Sequence, residues 1–178
     1  MKRISCIVMD VDGTLTNGCV SYSSDGSESK SFHVSDGLGI VLALRLGYKV
    51  ATISGRTSAS LRRRMIELGV TEINEGISDK AACIMTLATK WHVLPESIAY
   101  IGDDINDIPA FRSVGIKIAT ANACRELKGL ADFVTLETGG QGAVREAIEL
   151  ILRAQGRLEE GIAAYLASGH GNEFRTAQ

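Results

Sequence analysis

The chain has 178 residues, 45% hydrophobic and 22% charged, with 19 Lys and Arg against 21 Asp and Glu for a formal charge of −2. That length suits one domain, 1–178, with a sizeable core, and the balanced charge excludes a basic surface for nucleic acid or an anionic membrane. Apolar runs such as Ile116 to Ala119 fall far short of the ~20 residues needed to cross a bilayer, and the start Met1-Lys2-Arg3 leads only into a short strand and then acids, so a cytoplasmic protein acting on small molecules is expected.

In chain order, Ile4 to Met9 predicts a fully buried strand. Cys19 to Val34 alternates in polarity around Ser24-Asp25-Gly26, which predicts a small β-hairpin flap over about 18–34, beside the end of the first strand. Val50 to Ile53, Ile98 to Ile101, Ile116 to Ala119 and Phe133 to Leu136 predict further core strands. Between them, Ile84, Leu87, Ala88 and Trp91 share one helical face, as do Val144, Ala147, Ile148, Ile151 and Leu152. This alternation predicts an α/β fold, a Rossmann-like doubly wound parallel sheet with no cap domain. A C-terminal tail is expected over about 156–178, with Ser168-Gly-His-Gly171 as its mobile part.

The four cysteines, Cys6, Cys19, Cys83 and Cys124, form no Cys-x-x-Cys pair and have no His at ligand spacing, so buried structural thiols are expected rather than disulfides or zinc.

Four segments carry chemistry. Asp10-Val-Asp12-Gly-Thr14 directly follows the first strand, and ligands of open parallel sheets bind at the carboxyl ends of strands. Taken alone, such a segment more often just ends a strand. Ser54-Gly55-Arg56 closes the second core strand, where a hydroxyl and a Gly N–H offer an anion cradle or an ordinary helix cap. Lys80 opens a helix running to Trp91, an unfavourable place for a cation unless it has an anionic partner. Gly102-Asp103-Asp104-Ile-Asn-Asp107 packs three acids behind another strand, which a hard cation such as Mg2+ would reconcile.

In this order, the four segments resemble the haloacid dehalogenase superfamily of phosphotransferases. The resemblance implies that Asp10 is a nucleophile that takes the phosphoryl group as an aspartyl-phosphate, while Asp12 acts as general acid and then base. It implies Ser54, Gly55 and Lys80 on the phosphate, and Mg2+ held by Asp10, Asp103 and the backbone carbonyl of Asp12, with Asp104 and Asp107 in support. The chemistry is consistent with these residue types, because a carboxylate facing a phosphate dianion needs cations to offset the charge. To act as an acid, Asp12 needs a proton, which the Asp10 carboxylate two residues away favours by like-charge repulsion. Having Asp rather than Thr at position 12 favours a phosphatase or phosphomutase over the superfamily's ion pumps.

Over nearly its whole length the chain resembles the small capless branch that includes the octulosonate 8-phosphate phosphatases. Ser35-Asp36-Gly37-Leu-Gly39 and Gly139-Gly140-Gln141-Gly142-Ala-Val-Arg145 also match that branch. The resemblance implies a sugar-acid phosphate substrate, a tetramer in which a neighbouring subunit closes the open site, and substrate contacts from Arg56 and, across the subunit interface, Arg64. Arg56 would pair with a sugar carboxylate, whereas relatives acting on nine-carbon keto-sugar acid phosphates have an acid there. Arg62 and Arg63 read as a solvated helix face, and His33 as a structural hairpin residue. Gln141 departs from the branch, which usually has Arg there, and the extension beyond Gln155 has little counterpart. Two other classes compete: a phospho-accepting signalling module, for which the Thr71 to Asn74 region offers no Asp, and a catalytically idle accessory domain, in which Asp10, Asp12, Lys80 and Asp103 would have no reason to occur together.

Overall fold

The computed structural model describes residues 4–167. Strands β1 (Cys6–Met9), β4 (Lys49–Ile53), β5 (Glu72–Asn74), β6 (Ile98–Gly102), β7 (Ile116–Ala119) and β8 (Phe133–Val134) form one parallel sheet in the order β5-β4-β1-β6-β7-β8. Strands β2 (Ser21–Tyr22) and β3 (Glu28–Ser29) make a separate antiparallel ribbon, the expected flap. From β1 the chain winds outward through β4 and β5, then crosses back to β6 on the other side. The switch point, where ligands bind in such sheets, therefore lies at the carboxyl end of β1.

Side chains alternate along each strand, so the central strands feed two cores. Ile7, Met9, Ala99, Ile101 and Ile118 pack with α1 (Val34–Arg45), α2 (Ala59–Glu67), α6 (Ala143–Ala154) and α7 (Leu158–Ala167). Cys6, Val8, Ala51, Ile53, Ile98 and Tyr100 pack with α3 (Lys80–Trp91), α4 (Ile108–Phe111) and α5 (Arg125–Lys128). The two predicted helical faces are the ones that pack inward: Ile84, Leu87 and Ala88 on α3, and all five named residues of α6, are buried. Each Ile, Leu and Val among them contributes about 1.5–3 kcal/mol of burial. Among the described residues, no helix is long and apolar enough to cross a membrane.

Three expectations need correction. The last strand ends at Val134 rather than Leu136, because the Glu146 carboxylate accepts from the N–H groups of Leu136 and Glu137 and turns the chain away from the sheet edge, which leaves Leu136 exposed. The segment expected as a tail from about 156 contains α7, whose Leu158 and Gly161 are buried and whose last turn is held to α1 by Arg45, which donates to the Ala164 carbonyl and stacks over the Tyr165 ring. Ser168 to Gly171 lies outside the described residues. Of the four thiols, Cys6 is buried, Cys83 and Cys124 are partly covered and Cys19, on the flap, is exposed; all four are free.

The motifs around Asp36 and Gly142 meet in one joint. Asp36, in the first turn of α1, is 1% exposed, and its carboxylate accepts from the N–H groups of Gly142 and Arg145 at 3.3 and 2.8 Å, so one helix caps the start of another. A Cβ at Gly39 would press against the Arg145 backbone, so glycine is what lets α1 and α6 pack closely. Asp36→Ala is expected to destabilise the fold by about 1–3 kcal/mol. Urea unfolding reads this as a lower midpoint at constant slope, and an unchanged midpoint would rule out the cap.

Candidate active site

The sheet ladder continues past β1 as Asp10 N–H donates to the Ile101 carbonyl at 2.9 Å, then the chain coils tightly. The Val11 carbonyl accepts from the N–H groups of Thr14, Leu15 and Thr16. Gly13 makes this turn at φ +92°, and a Cβ there would overlap the Asp103 carboxylate, so glycine serves both the backbone and the close approach. Asn122, beyond β7, clamps the turn from outside. Its Nδ2 donates to the Gly13 carbonyl at 2.9 Å while its Oδ1 accepts from Gly139 N–H at 2.6 Å.

Asp10, 5% exposed, faces Lys80. The Lys80 ammonium lies 2.8 Å from Oδ1 of Asp10 and 2.6 Å from Oδ1 of Asp107, its side chain 3% exposed. Burial works against this ammonium, but the two carboxylates outweigh it and hold its pKa above the ordinary value. Asp79 caps α3 by accepting from Ala82 N–H, so Lys80 can point into the site without leaving the helix start bare. Asp107 is fully enclosed. It accepts from Lys80, from the Tyr100 hydroxyl at 2.8 Å, and from the N–H groups of Asp103 and Asp104. It thus shapes the loop that presents Asp103. Asp104 points outward and caps the short turn Ile105–Asp107.

Asp103 accepts from the Thr14 hydroxyl at 2.9 Å. Burial, then the nearby Asp10 charge, pushes its pKa up to about 7, and burial with the Asp107 charge pushes Asp10 up to about 6 against the pull of Lys80. Both carboxylates therefore sit where one more positive charge would be favourable. One carboxylate oxygen each from Asp10, Asp103 and Asp107 lies within 4.8 Å of the others. Asp107 has committed both oxygens to donors, so Asp10 and Asp103 are the pair with lone pairs to give. An all-oxygen donor set of this kind fits a hard cation such as Mg2+.

Ser54 is buried, and its Oγ accepts from Arg56 N–H at 3.1 Å, which leaves its proton free to donate. It does not cap a helix: α2 starts later, with Ser58 as cap. Gly55 is exposed beside it. The flap reaches this corner. Lys30 forms an ion pair with Asp12, and Arg56 bonds to Glu28 and Tyr22 of the flap. The carboxylate of Asp12 thus neighbours Lys30 and Arg56, while Asp10 is turned toward Lys80. Arg64 pairs with Glu67 at 3.5 Å and lies over Gly37, while Arg62 and Arg63 pair with Glu75 and Glu67 on the surface. His33 contacts Ser35 at the start of α1, and Gln141 lies in the turn before α6.

The structure brings Asp10, Asp103, Asp107 and Lys80 together, places Asp12, Ser54 and Arg56 on the flap side, and puts Arg64 on a separate helix. Sequence reasoning gave Thr14 only as the end of the Asp10 segment, with no role, and missed Asn122, Tyr100, Lys30 and Glu28. Asn122 carried one usable sign, a polar side chain just beyond a core strand, whereas nothing in the hairpin marks Lys30.

Residues 50–148 match the model of the haloacid dehalogenase-like hydrolases. A 3-deoxy-D-manno-octulosonate 8-phosphate phosphatase, KdsC, of Escherichia coli K12 is 41% identical over 159 residues, covering 89% of this chain and 85% of the relative. A crystal structure of 3-deoxy-D-manno-octulosonate 8-phosphate phosphatase from Moraxella catarrhalis, in complex with magnesium, phosphate and KDO, superimposes with a TM-score of 0.88 at 42% identity, covering 91% of this chain and 93% of that one. A putative HAD superfamily (subfamily III A) hydrolase from Legionella pneumophila gives a TM-score of 0.90 at 40% identity, covering 92% and 90%. With its Asp10 turn, Lys80 and acidic loop already in the arrangement the motifs require, the chain belongs to the haloacid dehalogenase-like hydrolase family.

Proposed function

We propose that the chain is a Mg2+-dependent phosphatase that hydrolyses 3-deoxy-D-manno-octulosonate 8-phosphate to the free sugar acid and phosphate. The observation that carries the reaction is Asp10 at the switch point, held against Lys80 and beside Asp103. Asp10 is assigned as the nucleophile that forms an aspartyl-phosphate, Asp12 as the acid for the leaving oxygen and the base for water, and Ser54, Gly55 and Lys80 as phosphate ligands. Asp10, Asp103 and the backbone carbonyl of Asp12 would hold Mg2+, which supplies charge that offsets the phosphate dianion. Asp107 and Asp104 are positioning residues through the loop they cap.

The substrate assignment is supported by the similarity to the Escherichia coli and Moraxella catarrhalis phosphatases and by Arg56, whose guanidinium suits a sugar carboxylate. A nine-carbon keto-sugar acid is the alternative that Arg56 disfavours. Among the described residues only the two-stranded flap is inserted after β1, so no cap domain covers the site. The exposed apolar side chains Tyr22 and Val34 on and beside the flap fit closure by another copy, in a tetramer where Arg64 enters a neighbour's site. The cytoplasm, where free thiols stay reduced, is the expected compartment.

Phosphate release from the octulosonate phosphate, from nine-carbon keto-sugar acid phosphates and from hexose phosphates, with and without Mg2+, tests the assignment. The eight-carbon substrate should show the highest kcat/KM, EDTA should abolish turnover, and Asp10→Asn should lower kcat by about a thousandfold or more. Equal turnover of glucose 6-phosphate would refute the substrate, and activity surviving Asp10→Asn would refute the mechanism.

Metal binding is open to a separate test. The folded chain holds the protons of Asp10 and Asp103 up to about 6 and 7, whereas an unfolded chain releases them near ~4. Fewer protons on the unfolded state across that window mean that these two groups cost the metal-free fold stability as pH rises from about 4 through 7. A cation displaces the protons and removes the repulsion. The rise in melting temperature on adding Mg2+ should therefore grow between pH 5.5 and 8, and a rise that is flat or shrinks with pH would place the metal elsewhere. Sedimentation velocity addresses closure, with a fully active monomer as the outcome against it.

A further inference from the structure

The flap delivers a charged ring to the mouth of the site. Lys30, its side chain 1% exposed, pairs with Asp12 and lies 3.6 Å from Oε1 of Glu28. Oε2 of Glu28 accepts from Nη2 of Arg56 at 2.6 Å, and that nitrogen also donates to the Tyr22 hydroxyl at 2.9 Å. Nε of Arg56 closes the ring 3.8 Å from Oδ2 of Asp12. Two cations and two carboxylates alternate, so the ring is neutral as it stands.

Glu28 is held to Arg56 by one short bond but reaches Lys30 only at 3.6 Å. Oε1 is buried yet accepts no hydrogen bond, a costly state for a carboxylate oxygen. Its strand pairs over two residues only, Ser21 with Ser29 and Tyr22 with Glu28, so little sheet structure resists its movement. Meanwhile Lys30 and Arg56 show by their spacing that one carboxylate fits between them.

We infer that Lys30 and Arg56 form the subsite for the substrate's carboxylate, and that Glu28 occupies it in the free protein as an internal carboxylate which the substrate displaces. This rests on the proposed function, which supplies a ligand carrying a carboxylate as well as a phosphate. A second carboxylate entering beside Glu28 would leave the ring with a net negative charge in a poorly screened place, whereas exchange keeps it neutral and returns Oε1 of Glu28 to water. The device selects as well as binds: a phosphate ester without a carboxylate displaces nothing from Lys30 and Arg56 and gains none of this binding.

The test uses 6-phosphogluconate and glucose 6-phosphate, matched sugar phosphates with and without a carboxylate, as inhibitors of aryl phosphate turnover by the full chain. Glu28→Gln keeps the shape and removes the charge, so the ratio of inhibition constants, glucose 6-phosphate over 6-phosphogluconate, should rise threefold or more. Adding Lys30→Gln to that variant should abolish the gain, whereas adding Lys30→Arg should keep it. A ratio that is unchanged or falls in Glu28→Gln overturns the exchange and makes Glu28 a brace for Arg56; Glu28→Ala provides the same reading if the Gln variant fails to fold. Wild-type turnover of the octulosonate phosphate is read in parallel. Its absence refutes the substrate alone, while the inhibition ratio still decides the fate of Glu28.

Discussion

One buried ammonium organises the site. Lys80 sits between Asp10 and Asp107 with almost no exposure, and without it these two carboxylates and Asp103 would face one another in a desolvated space. A buried charge is tolerable only when paired and hydrogen-bonded. The pairing has a geometric result as well, since Asp107 can gather the Asp103–Asp104 loop only while its own charge is answered. Asp10 and Asp103, the two carboxylates pushed upward in pKa, are those left with oxygens to give a cation. The positive charge supplied by the chain thus stops short of neutrality and leaves room for a metal.

The doubly wound sheet brings these groups together because β1, β4 and β6 are neighbours whose carboxyl ends share one edge. Asp10, Ser54 and Asp103 follow those strands directly, and Lys80 arrives at the first residue of α3. Two clamps fix the Asp10 turn from distant parts of the chain: Thr14 to Asp103, and Asn122 to Gly13.

Much of this was legible in the sequence because it depends on periodicity and on residues at strand ends. Apolar runs located β1, β4, β6 and β7, and the same logic picked out Asp10, Ser54, Lys80 and Asp103. Lys80 was legible for a further reason: a cation at a helix start is locally unfavourable and calls for a partner. What local reasoning could not supply was the far partner of each side chain. Asp36 looked like part of a matched motif, and its work as the cap of α6 depends on a helix more than a hundred residues later. Glu28 and Lys30 belong to an exposed-looking ribbon whose alternation gives no sign that one member turns inward. The strand expected to reach Leu136 failed for a related reason, since the Glu146 carboxylate that ends it lies on the next helix. Helix α7 went unrecognised because its anchor, Arg45, is on α1.

The Gly139–Gly140 loop rests directly on backbone of the Asp10 turn. Cβ atoms there would overlap Gly13 and Thr16, and Gly140 N–H donates to the Thr14 carbonyl at 3.1 Å. The support for the assigned nucleophile therefore comes from a segment far later in the chain, made well after the nucleophile itself. During synthesis the early strands can pair as they emerge, but the Asp10 turn has no complete seat until the segment beyond β8 arrives. The seat of Asp10 is thus completed only after all four motifs have been made, so a chain truncated before that loop would carry every motif and still lack a fixed site.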